Sequence, residues 1–266
     1  MIRTLLLVVA LGIMIGWPLS VLAADSVCVE CHSGQSGALS EPVAQWRQSV
    51  HAQNGISCHD CHGGDPSDYA MAMSPERGFL GAPEYAQVPA FCGRCHVGVL
   101  EAYQPGGHGQ ALEAGGAQCV ICHGEHAIQV ANLELINQES CSRCHDYDRA
   151  EQIKELLQQV DGPIESLDKD LERLHRLSFA TEEMESALFD LRNRFHRVFH
   201  GVDAERVRSD INGFSEELGQ ISDQVATLDE TQSQRKLWGA VVTGLFVLAG
   251  VVLLLIRKTY EEEEKG

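Results

Sequence analysis

The string Cys-x-x-Cys-His occurs five times, at Cys28–His32, Cys58–His62, Cys92–His96, Cys119–His123 and Cys141–His145, and it uses all 10 cysteines of the chain. No thiol is left for a disulfide, a zinc ribbon or a free nucleophile. Two cysteines one short turn apart can reach the two vinyl groups of one porphyrin, and a histidine directly after the second is then set under the iron. Structural zinc has no need of a histidine fixed at the same place five times. The strings therefore predict five covalently bound haem c groups. Their attachment points are Cys28 and Cys31, Cys58 and Cys61, Cys92 and Cys95, Cys119 and Cys122, and Cys141 and Cys144. The proximal ligands are His32, His62, His96, His123 and His145.

The residues around the strings, 25–148, are rich in Gly, Ala, Ser and Pro and contain no long periodic apolar segment. With so little aliphatic surface, the haems themselves must supply the core of a loop-rich cytochrome domain, and the apoprotein is expected to be largely unfolded.

An internal repeat points to the distal ligands. Trp46 and, five residues on, His51 lie between the first and second strings; Tyr103 and, five residues on, His108 lie between the third and fourth. Gly63 and Gly124 follow the second string of each module, but three residues past the proximal histidine stands Asp65 in one and His126 in the other. The fifth string stands alone, so the architecture reads as two plus two plus one. Of 12 histidines, seven lie outside the proximal set. His51, His108 and His126 are the expected distal ligands. His200, and after it His196, are candidates for a further one; they are four apart and share a helical face. His59 lies inside a string and is expected to face solvent, as is His175 on a helix. Met71 or Met73 would be the substitute at one iron, raising its potential. The first lysine is Lys154, so no lysine within the haem region is available as an axial ligand.

Both ends of the chain carry apolar segments. Residues 1–24 have Arg3, an apolar run from Leu5 and small residues near Ala23, and read as a secretory signal, with an uncleaved anchor as the alternative. The 19 residues Trp238–Ile256 carry no charge and would span roughly 28 Å as a helix, which fits one transmembrane helix over 237–257. A cytoplasmic tail, 258–266, follows. The haem domain is thus expected in the periplasm, held to the inner membrane by a single pass.

Between haems and membrane, 149–234 shifts to Glu, Leu, Arg, Asp and Gln. Ile164, Leu167, Leu171 and Leu174 step by helical spacing, as do Leu188, Leu191, Phe195 and Val198 after a break at Ser178–Thr181. Gly201 interrupts, Asp203 can cap a further helix, and Val207, Ile211, Phe214, Leu218, Ile221, Val225 and Leu228 continue in steps of four and three. This predicts an antiparallel helical hairpin serving as a stalk, as a surface for oligomerisation, or as a satellite packed on the haems. The fold class is mainly α with extensive loops.

Trp46-x-x-Ser49-x-His51 before Cys58-x-x-Cys61-His62-Gly63-Gly64, and His108 before Cys119-x-x-Cys122-His123-Gly124-x-His126, resemble repeats of the class III cytochrome c and NapC/NirT-type families. The likeness covers residues 28–145. It implies a periplasmic electron carrier supplied from membrane quinol. NapC/NirT-type proteins are anchored by an N-terminal helix, whereas the uninterrupted span here is C-terminal.

These readings converge on a membrane-anchored pentahaem cytochrome that relays electrons from a quinol-linked inner-membrane donor to a periplasmic reductase or cytochrome. Successive first cysteines are 22 to 34 residues apart, which keeps the haems close. A net charge of −18 excludes a nucleic-acid partner, and the acidic haem region favours redox partners with a basic docking face. The rival is a reductase or oxidase of small nitrogen or sulfur compounds with one iron left open. A haem-based sensor has too short a tail for an output domain.

Overall fold

The computed structural model describes residues 26–201 and 203–263; the expected signal, 1–24, lies outside them. The chain is mainly helical, with no strand among the described residues. Its contacts divide it into two units. One ends at Pro83 and takes in Glu125–Gln129; the other holds Glu84–Gly124 and everything from Val130 on.

The first unit contains α1 (Val27–Ser33), α2 (Glu41–Trp46), α3 (Val50–Gln53) and α4 (Cys58–His62). Its buried apolar side chains are Val29 and Val43. Helices α1 and α4 each carry a Cys-x-x-Cys-His string and pack against one another. Residues Glu125–Gln129 join through backbone bonding: Val50 N–H donates to the Ile128 carbonyl at 2.8 Å, and Gln129 Nε2 to that of Gln48 at 3.1 Å.

The second unit opens with α5 (Val88–Gly93), α6 (Val97–Tyr103), α7 (Gly107–Gln110), α8 (Cys119–His123) and α9 (Gln138–Cys141). It continues in three long helices, α10 (Asp148–Arg176), α11 (Glu182–Val198) and α12 (Ala204–Glu263). Ile153, Leu157, Val160, Ile164, Leu167, Leu171 and Leu174 form one buried stripe on α10. It meets Met184, Leu188, Leu191 and Phe195 of α11 and Val207, Ile211, Phe214, Leu218, Ile221 and Val225 of α12 in one continuous core. Each such side chain contributes about 1.5–3 kcal/mol by leaving water.

Ion pairs set the register. Asp168 with Arg192 and His175 with Glu185 place α10 and α11 antiparallel, whereas Arg173 with Asp229 and Arg194 with Glu217 together place α10 and α12 parallel. The expected two-helix hairpin is therefore a three-helix bundle. The seam begins at Ile153, well before Ile164, and the chain reverses at Ser178, whose φ of 60° breaks the helix, so α10 and α11 are separate elements. Asp203 caps α12 as expected, its Oδ1 accepting the Glu205 and Arg206 amides at 3.0 and 3.2 Å. The apolar segment over 237–257 is not a separate element; it is the C-terminal part of the 60-residue α12. Its 18-residue window has a mean hydropathy of 2.7 and is nowhere buried, so one helix is long and apolar enough to cross a membrane.

Candidate functional site

Short helices place the strings. Cys58–His62 and Cys119–His123 each form one helical turn, α4 and α8, with the string histidine in the last position. Ser57 and Asp60 form a capping box on α4, and the Gln118 side chain caps α8, so the cysteines open a turn with a fixed start. Gly63, at φ 70°, and Gly64, at φ 85°, then let the chain pass under a loop: a Cβ on either would strike the carbonyl of Gly78 or Ala72.

His62, His145 and His123 each face a histidine from outside the strings. His62 and His126 have ring centroids 6.2 Å apart with planes 20° from parallel. His108 and His145 are at 6.1 Å and 22°, and His123 and His200 at 6.4 Å and 17°. Near-parallel rings at these separations are too far apart for face-to-face contact. Two imidazoles bound to opposite sides of one metal through about 2.0–2.1 Å bonds would have centroids about 6.3 Å apart, so the pairs fit an iron held by two axial imidazoles.

Hydrogen bonds prepare the rings for that task. Nδ1 donates to a backbone carbonyl in His62 (Gly81, 2.9 Å), His145 (Asp146, 2.8 Å), His200 (His196, 3.1 Å) and His32 (Leu39, 2.9 Å), which leaves Nε2 with its lone pair. Burial, with a lesser contribution from the facing histidine, holds the pKa of His126, His108 and His200 below the usual imidazole value. Burial and then His96 do the same for His123. A neutral imidazole is the form that binds a metal.

The cysteines of successive strings are neighbours. In the first unit, burial and then the nearby Cys28 push the Cys58 thiol up. In the second, the Cys92 and Cys119 thiols hydrogen-bond, which raises Cys92 and lowers Cys119 to about 7. Burial and then Cys141 raise Cys122. Strings one and two, three and four, and four and five thus lie side by side within their units.

The aromatic residue of each module proves to be a brace. Trp46 Nε1 donates to the Ile56 carbonyl at 2.9 Å, and the Tyr103 hydroxyl donates to the Ala117 carbonyl at 3.1 Å. Both acceptors stand two residues before the first cysteine of the next string, so each brace closes the loop that carries His51 or His108. The internal repeat held this signal, although it was read there only as a marker for the histidine. Gly106 is a second feature read only in the structure: a Cβ there would crowd the carbonyls of His200 and Gly201, so its absence lets the His108 segment lie against the turn carrying His200.

His51 sits half-buried on α3. His196 packs beside the rings of Phe195 and Phe199 and accepts the His200 bond through its carbonyl, which positions its neighbour. His175 bridges Thr181 and Glu185 at the turn between α10 and α11, a role within the bundle. His59 Nε2 lies 3.7 Å from Asp60.

Over 128 residues, 47% of its length, the chain is 28% identical to the C-type polyheme cytochrome OmcC of Geobacter sulfurreducens, strain ATCC 51573 / DSM 12127 / PCA. It is 26% identical to OmcB from the same strain over 156 residues, with 46% of this chain covered. The likeness is to multihaem c-type cytochromes. Such relatives imply covalently bound haem c and suggest an electron-transfer role. The chain spans only 15% and 20% of the length of these two relatives. No family model matches it, and no solved structure does.

Proposed function

We propose that the chain is a membrane-tethered pentahaem c-type cytochrome that relays electrons. The observation that carries this reading is the set of three imidazole pairs at 6.1–6.4 Å, each joining a string histidine to a histidine outside the strings. On this reading the ten string cysteines bind five haems as thioethers, and His32, His62, His96, His123 and His145 are the proximal ligands. His126, His108 and His200 are the distal ligands opposite His62, His145 and His123. Bound haem supplies reversible one-electron chemistry, and two imidazoles per iron favour transfer over substrate binding. The residues orient the rings through carbonyl acceptors, and half-burial of His200 and His123 limits the access of water to them. Adjacent cysteines of successive strings support a path from one haem to the next within each unit. The apolar end of α12 supports a single C-terminal membrane span, with the haem domain exported to the periplasm and the tail left in the cytoplasm.

The test is the purified protein made in a host competent for cytochrome c maturation. Its mass should exceed that of the mature polypeptide by five haems, and the ferric spectrum should show low-spin bis-imidazole iron. A smaller increment, or a protein that carries zinc and free thiols, would overturn the assignment. A high-spin haem that binds cyanide or nitrite would favour a reductase with one open iron.

A further inference from the structure

The electron partner of this chain can be placed by height. His200 belongs to the turn between α11 and α12, and Ala204, four residues later, begins a helix that runs without a break to Glu263. The 34 residues from Ala204 to Trp238, where the uncharged apolar run starts, span about 51 Å along the helix axis. Part of this length lies beside the haem-carrying segments. Gly98, Glu101, Ala102 and Pro105 share a cleft of about 400 Å³ with the ends of α11 and α12, and Phe214 is the last residue of α12 to line it. From Phe214 to Trp238 there remain 24 residues, about 36 Å.

This stretch is stiff. Over it α12 is paired with α10 through Leu218, Ile221 and Val225, and at its lower end the Arg173 guanidinium binds both carboxylate oxygens of Asp229 at 2.8 and 2.9 Å. Arg235 then lies 4.6 Å from the centroid of the Phe179 ring, so packing continues almost to the apolar segment. Transmembrane helices tilt by up to about 40°, and even then the shorter figure leaves about 28 Å between the edge of the hydrocarbon core and the cleft.

We infer that the partner of the His123/His200 centre is a redox protein whose own centre stands tens of ångströms above the bilayer, and not a quinol dissolved in it. The inference rests on the ligation and the anchor proposed above. The bundle is a spacer of fixed length, and the electron donor or acceptor must rise to meet it. A quinol dissolved in the bilayer would then be out of reach of the His123/His200 centre.

The test uses the holoprotein in lipid nanodiscs. With ten cysteines occupied by haem, an added one is the only free thiol, so Ser209→Cys and Ser233→Cys, both at exposed positions, each accept one fluorophore. Haem quenching should be at least about fivefold stronger at 209 than at 233, which is about 36 Å further along the helix, and headgroup-labelled lipid should be quenched no more than 233. Quenching of lipid equal to that at 209 would overturn the spacer while leaving the anchor and the haems in place. Failure of the holoprotein to enter discs would overturn it by removing the anchor. As a functional check, a quinol with a long isoprenoid tail should reduce the haems at least about tenfold more slowly than the same headgroup without a tail; equal rates would also overturn the inference.

Discussion

His200 is placed by its Nδ1, which donates to the carbonyl of His196, and by its own carbonyl, which abuts Gly106; its ring centroid stands 6.4 Å from that of His123. On the proposed ligation, replacing it leaves one iron with a single protein ligand. His200→Ala should therefore convert one haem in five from low to high spin, read by electron paramagnetic resonance of the ferric protein, with the haem content unchanged. His175→Ala removes a bridge to Thr181 and Glu185 and should leave the spin state untouched. The same difference explains what could be read from residues alone. The five strings declare their chemistry by covalent spacing, and the repeat singles out His51 and His108 alike. Which string each outside histidine meets depends on chain segments far apart in sequence, as with His126 and His62, and no local pattern encodes that.

At the level of elements, α10, α11 and α12 are held in register by charge as well as by their seam. Arg173 keeps the Asp229 carboxyl below its ordinary value of 3.8, chiefly by hydrogen bonding. A carboxyl depressed on folding contributes stability above its unfolded pKa and loses it as pH falls through the folded one. Both side chains are more than a third exposed, so the pair should be worth only about 0.5–1 kcal/mol. Arg173→Met should show a deficit of that size at neutral pH in urea unfolding followed by helical circular dichroism. The deficit should shrink as the pH drops below 3.8. A deficit that stayed constant through the acid range would mean that the arginine acts through packing. The helices themselves were legible from their apolar periodicity; their number was not. A seam read from Ile164 onward hides the first turns of α10, and a chain reversal at Ser178 reads in sequence only as a break.

Across the whole molecule the two kinds of core differ. The bundle is closed by a continuous set of buried aliphatic and aromatic side chains that reaches Leu133, whereas the other described residues up to Tyr147 bury few apolar side chains, among them Val29, Val43, Val88, Pro89 and Tyr103. A domain with so few buried side chains depends on its cofactor. Protein made without cytochrome c maturation should therefore keep its bundle helices but be cut readily by protease before residue 148, while residues 148–237 resist; mass spectrometry of the fragments would show this. Equal resistance throughout would mean that the polypeptide alone supports the haem region. The sequence by itself determined the number of Cys-x-x-Cys-His strings, the scarcity of apolar side chains around them and the single apolar span, because each is a matter of covalent spacing or of composition over a contiguous stretch. Only the tertiary structure decided which histidines face one another and how far the bundle carries the His123/His200 pair from the apolar segment, because both depend on packing between segments distant in the chain.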